Sequence, residues 1–135
     1  MESAIHWLRR SLGICAAIGI KKEYAPEEYD AFETLTSRYA RTIDLIIRKV
    51  LRSIDLVEFE EPGTLIDTVN RAEKRSLIDS AADFRLLTDL RNEIAHDYIK
   101  AELVHTFART LQFAPRVIAL ADRIRSYAGE NLTAG

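Results

Sequence analysis

Within eight residues, the segment Arg91-Asn92-Glu93-Ile94-Ala95-His96-Asp97-Tyr98 offers a guanidinium, an amide, an imidazole and a phenol. A guanidinium grips a phosphate with two parallel donors and keeps its charge at any physiological pH. An imidazole exchanges protons near neutral pH. An amide orients an imidazole or holds a backbone oxygen, and a phenol stacks on a base or offers a hydroxyl. Together these groups suit cleavage of RNA without a metal. The ribose 2′-hydroxyl attacks the neighbouring phosphorus, His96 takes or returns a proton, and Arg91 stabilises charge on the phosphoryl oxygens. The product is a 2′,3′-cyclic phosphate. DNA resists, because it lacks the internal nucleophile.

The segment lies on a helix whose apolar positions are Phe84, Leu87, Leu90 and Ile94. At about 100° per residue with Arg91 at zero, Phe84, Ala95, Leu87, Ile94 and Tyr98 fall at roughly 20°, 40°, 320°, 300° and 340°. Arg91 therefore lies inside the apolar arc, where a charge is costly unless it is paired, hydrogen-bonded or turned to a wet groove. Asn92 and His96 form a neighbouring stripe at about 100° and 140°. Arg91 and His96 thus diverge on one helix. Two copies meeting across a two-fold axis would bring four such groups around one cleft, so the expected active unit is a homodimer.

The elements that must hold this segment read as helices. Ile5, Leu8, Leu12, Cys15, Ala16 and Ile20 recur at three- and four-residue steps and predict a first helix from about Ser3 to Ile20. Pro26 with Glu27 and Glu28 is a helix start. The helix that follows, to about Leu56, carries the seam Phe32, Leu35, Tyr39, Ile43, Ile46 and Val50 and a second apolar flank of Leu45, Ile47, Leu51 and Ile54. Glu58 to Gly63 is the clearest loop, and Thr64 can cap a third helix ending near Arg75 or Leu77. Ser80 can cap the fourth, Ala81 to Tyr98. A last helical stretch runs from about Ala101 to Ser126, with Pro115 expected to kink or split it and a frayed tail over 128–135. The expected fold is all-α, a single domain over 1–135 built as an antiparallel up-and-down bundle of four to five helices.

Composition narrows the function classes. Hydrophobic residues make up 47% and charged residues 30%, a globular balance, and 5 Gly with 3 Pro leave room for long helices. The net charge of -2 gives no overall basic field, so RNA binding has to come from a local patch. Candidates are Arg38, Arg41, Arg48, Lys49 and Arg52 on the second helix, with Arg71, Lys74 and Arg75 on the next. The single cysteine, Cys15, excludes an internal disulfide and fits a reducing, cytoplasmic location. The apolar stretch Ser11 to Ile20 is too short to span a bilayer. His6 and His105 do not make metal spacing with His96. No Gly-rich phosphate loop, nucleophile elbow or paired-carboxylate signature is present, and neither metal nor cofactor is expected.

Arg91-Asn92 followed by His96 and Tyr98 resembles the R-x4-H-x-Y motif of HEPN domains, specifically the HepT-type toxins. Leu90 to Tyr98 is close to that family's pattern, and the long preceding helices and chain length suit it as well. The resemblance implies a dimeric helical bundle acting as a metal-independent ribonuclease toxin on RNA such as tRNA or mRNA. Its implied partner is a minimal nucleotidyltransferase antitoxin of the HEPN/MNT type, with which the homodimer would build a larger hetero-oligomer. It further implies Arg91 and His96 as the catalytic pair, Asn92 as a positioning residue and Tyr98 as the acceptor of AMP from the antitoxin. AMP at Tyr98 would set bulk and negative charge beside the catalytic pair. Related HEPN proteins are non-cleaving, nucleotide-binding subunits of nucleotidyltransferases, and that is the alternative function. The retention of both Arg and His favours the nuclease.

Overall fold

A computed structural model describes residues 1–58, 70, 71, 73, 74, 81–96 and 100–132 of the 135-residue chain; for 50–58, 100–102 and 127–132 it describes the backbone alone. Four helices follow in order among the described residues: α1 (Glu2–Ile18), α2 (Pro26–Glu58), α3 (Ala81–His96) and α4 (Lys100–Leu132). No strand occurs among them. Residues 70, 71, 73 and 74, inside the expected third helix, are helical. The proposed caps Thr64 and Ser80 and the acidic loop after Glu58 lie outside the described residues.

Local chemistry sets the helix ends. α1 stops at Gly19, whose φ of 80° is a left-handed conformation and whose N–H donates to the Cys15 carbonyl at 2.9 Å. A β-carbon there would cost about 1–2 kcal/mol. The helix thus ends two residues before the expected Ile20, which is 65% exposed instead of joining the core. α2 begins at Pro26, and the Glu28 carboxylate reaches back to accept from the Ala25 N–H at 2.9 Å. Glu28 also accepts from Lys21 Nζ at 2.6 Å, and this ammonium contact holds its carboxyl below the usual range. At α3 the Glu73 carboxylate accepts from the Ala81 N–H, placing negative charge at the positive end of the helix.

The core follows the seams expected on α1, α2 and α3, except that Ala16 is exposed, and adds a face of α4; the side chains of Val50, Leu51 and Ile54 lie outside the described residues. Phe32, Leu35, Tyr39, Ile43 and Ile46 of α2 are fully buried against Ile5, Leu8 and Cys15 of α1, Phe84, Leu87 and Leu90 of α3, and Phe107, Val117 and Ile124 of α4. Phe32 and Phe107 stack with centroids 5.2 Å apart, and Tyr24 and Tyr29 pack around them. Contacts fix the helix directions. Arg38 bonds to Ser11 and Cys15 bonds to Ala31, so α1 and α2 run in opposite senses. Arg125 meets Glu2 and Arg9 meets Asp122, so α1 also runs opposite to α4. Tyr39 bonds to Leu87 and Asp44 to Arg91, so along this contact α2 and α3 run in the same sense, and Glu93 near the end of α3 is tied to Arg109 of α4.

Two buried threonines are satisfied within their own helices. Thr42 and Thr110 each donate to the carbonyl four residues back, at 2.8 and 2.7 Å. The buried Tyr39 hydroxyl donates to the Leu87 carbonyl at 2.9 Å, and burial pushes its pKa well above the ordinary phenol value. Burial likewise pushes the Cys15 thiol up to about 11, so it stays protonated and weakly nucleophilic at neutral pH. No helix among the described residues is long and apolar enough to cross a membrane.

α4 differs from expectation at two points. It is not split at Pro115, and it continues past Ser126 to Leu132; 133–135 lie outside the described residues. Pro115 removes the hydrogen bond that Leu111 would receive, at a cost near 3 kcal/mol. Burial of Ala114, Val117, Ile118 and Ala121 on either side offsets that cost and keeps the helix whole, while the exposed ring of Pro115 faces outward. Pro115→Ala is therefore expected to raise thermal stability by up to about 3 kcal/mol. Calorimetric melting checks this, and an unchanged or lower midpoint would show that α4 needs a bend at Pro115.

Candidate functional site

α3 ends in the segment that carries the chemistry. Its inward residues Phe84, Leu87 and Leu90 are buried and set its rotation, leaving Arg91 partly exposed and Asn92 and His96 exposed. The two stripes of the helical wheel are thus present in three dimensions. Ile94 packs at the edge of the core. Tyr98 and Asp97 lie outside the described residues, so the expected place of the phenol stands on the sequence.

Arg91 does not stand alone in its apolar surroundings. Its Nε donates to Asp44 Oδ1 at 2.8 Å and its Nη2 donates to Asp44 Oδ2 at 3.0 Å, a two-point pairing between α3 and α2. Both side chains keep about a third of their surface in water, 32% and 33%. Donation of hydrogen bonds to Asp44 raises the already high pKa of Arg91, so the guanidinium is permanently charged. Of the five N–H donors of a guanidinium, Asp44 takes two, leaving three for a ligand. The pair fixes the side chain in one orientation without exhausting it.

His96 sits in the last turn of α3, about 7.5 Å further along the axis than Arg91 at 1.5 Å per residue. Neither His96 nor Asn92 has a hydrogen-bond partner among the described residues, and the two lie one turn apart on the exposed face. The structure therefore joins Arg91 to Asp44 rather than to His96. Between them, Glu93 points to Arg109 Nη1 at 2.6 Å, which ties the end of α3 to α4. Among the described residues no group of His, Cys, Asp or Glu is arranged to hold a metal ion.

Asp44 is the residue that sequence reasoning missed. A signal was available: Asp44 lies within the apolar flank formed by Leu45, Ile47 and Leu51, where an acid needs a partner. An acid and an arginine that both interrupt apolar stripes are candidates for each other.

The chain matches no family model, no curated protein and no solved structure.

The pairing makes a stability prediction. Asp44→Ala leaves the Arg91 guanidinium uncompensated in a half-buried place, at an expected cost of about 1–3 kcal/mol. In an Arg91→Ala background the same change is expected to cost much less, giving a coupling of at least about 0.5 kcal/mol. Urea unfolding of the four proteins measures it, and additive single effects would show that the pair does not hold α3 to α2.

Proposed function

We propose that this chain is a metal-independent endoribonuclease of the HEPN type, acting as the toxin of a toxin–antitoxin pair. The observation that carries the reading is the end of α3: an arginine locked in orientation by Asp44, followed on the same helix by an exposed histidine with no hydrogen-bond partner among the described residues. Fixed positive charge beside a free proton carrier is what a 2′-hydroxyl attack on phosphorus requires. Arg91 offers its remaining donors to the phosphoryl oxygens. His96 accepts the proton of the 2′-hydroxyl as the O–P bond forms. A second histidine, from another copy of the chain, returns a proton to the departing 5′-oxygen. Asn92 steadies the His96 ring from one turn away. A two-fold dimer supplies this second set, since Arg91 and His96 point about 140° apart on their own helix.

A minimal nucleotidyltransferase is the proposed antitoxin, and Tyr98 its target. Transfer of AMP to the Tyr98 hydroxyl, with loss of pyrophosphate from ATP, would add a phosphodiester charge next to Arg91 and compete with RNA for it. One observation favours a second reading, a nucleotide-binding subunit that does not cut. The Asp44 carboxylate already offsets the charge of Arg91, which suits ground-state binding of a phosphate better than stabilising extra charge in a transition state.

Incubation of a labelled RNA in EDTA separates the readings. The wild type is expected to produce fragments ending in cyclic phosphate, and Arg91→Ala and His96→Ala to lose at least about 100-fold in rate. An equimolar mixture of the two variants is expected to recover part of the activity through mixed dimers. RNA left intact by the wild type rejects the nuclease and leaves the non-cutting subunit; a mixture as inactive as its components rejects the shared cleft.

The modification has its own readout. After incubation with the cognate nucleotidyltransferase and ATP, the intact mass of the chain is expected to rise by whole AMP units. An equal rise in Tyr98→Phe would place the modification elsewhere.

A further inference from the structure

The segment from Thr34 to Ile54 of α2 contains five basic residues, Arg38, Arg41, Arg48, Lys49 and Arg52, and a single acid, Asp44. Arg91 occupies that acid. A chain with net charge -2 thus carries a strongly positive stretch along one helix. Arg41 and Arg48 are seven residues apart, so they lie on one stripe of α2 with Asp44 between them. Both are exposed, and neither has an ion-pair partner among the described residues.

The stripe continues onto α1. Trp7, the sole tryptophan, is 44% exposed. The Arg38 guanidinium lies 5.1 Å from the centre of its ring, anchored by donation to Ser11 Oγ at 2.7 Å and to the Trp7 carbonyl at 3.2 Å. Trp7, Arg38, Arg41 and Leu45 line one shallow hollow of about 210 Å³. The nearest acid of α1, Glu2, is turned to Arg125. A large aromatic surface left in water, braced by one arginine and next to another with no partner, is unfavourable for the isolated chain. It is suited to a ligand with both a flat π-face and negative charge. Unstacked nucleotides have both.

We propose that Trp7, Arg38, Arg41 and Arg48 form a track for single-stranded RNA that leads to the Arg91–Asp44 pair. One base stacks on Trp7, and backbone phosphates contact Arg41 and Arg48. A paired duplex hides its base faces, so the track selects unpaired segments such as loops and tails. The direction of the argument, toward RNA, rests on the ribonuclease reading above, while the stacking and charge are properties of the surface itself.

Because Trp7 is the only tryptophan, its fluorescence reports on the track directly. The full chain is titrated with a 2′-O-methyl RNA 12-mer, which lacks the attacking hydroxyl and cannot be cut. Saturable quenching of Trp7 is expected. Trp7→Leu, followed through a dye on the oligomer, is expected to weaken binding about 10- to 100-fold. Arg41→Gln with Arg48→Gln is expected to lower the slope of log affinity against log salt by about 1.4, from roughly 0.7 per lost phosphate contact. The track is overturned if the oligomer fails to bind, binds with Trp7 fluorescence unchanged, or binds the double variant with the same salt slope. It is also overturned if Trp7 responds only to protein concentration, which would make the surface an interface between copies. Quenching by the oligomer without any cutting of ordinary RNA would retain the track and reject the nuclease; cutting with a silent Trp7 would do the reverse.

Discussion

The burial of one seam on α2 decides where everything else can go. Phe32, Leu35, Tyr39, Ile43 and Ile46 have no exposed surface. At about 1.5–3 kcal/mol for each large apolar side chain, the seam contributes on the order of 10 kcal/mol. The partly exposed Arg91–Asp44 pair contributes about 1 kcal/mol. Apolar packing therefore fixes the rotation of α2, and the ion pair follows from it. With the seam inward, Asp44 falls on the flank that α3 crosses, and the Tyr39 hydroxyl reaches the Leu87 carbonyl one turn before Arg91. A register shift of one residue on α2 would move Asp44 by about 100° and strand the arginine.

The same hierarchy explains what was legible in the sequence. Periodic apolar positions, the Pro26 start and the interruption at Arg91 are properties of single helices, so pattern reading found them. The Ile20 misreading has a local cause that the apolar pattern does not weigh: Gly19 ends α1 through its left-handed backbone. At Pro115 the packing around Ala114 and Val117 carries α4 through without a split. Asp44 was missed because pairing across helices depends on the relative rotation of two elements, which neither helix encodes alone. The exposed Trp7 was missed for a similar reason, since its ring gains meaning only beside Arg38, thirty-one residues away.

For the candidate site, the sequence supplied the groups and the structure supplied their environments. The wheel places Arg91 where a charge needs a partner, and Asp44 meets that need with two hydrogen bonds while leaving three donors open. It places Asn92 and His96 on an adjoining stripe, and both are exposed. The cation is anchored and the imidazole is exposed at the same helix end because the two residues are five apart and so face different surroundings.

Charge shows why whole-chain composition was a poor guide to partners. The net value of -2 averages over charges that are already paired, acid with base, and over charges spread unevenly along the chain: Glu2 pairs with Arg125, Glu28 with Lys21, Glu93 with Arg109, and Asp122 with Arg9 and Arg125. Paired charges project little field beyond a Debye length of about 8 Å at physiological salt. What an approaching polyanion meets is the unpaired remainder. Between Thr34 and Lys49 of α2 that remainder, among the described residues, is positive, at Arg41 and Arg48, and it borders an arginine whose own carboxylate takes two of its five donors. Attraction of a polyanion to an acidic protein would need no basic domain, only one stretch of helix rich in bases whose single acid is already paired.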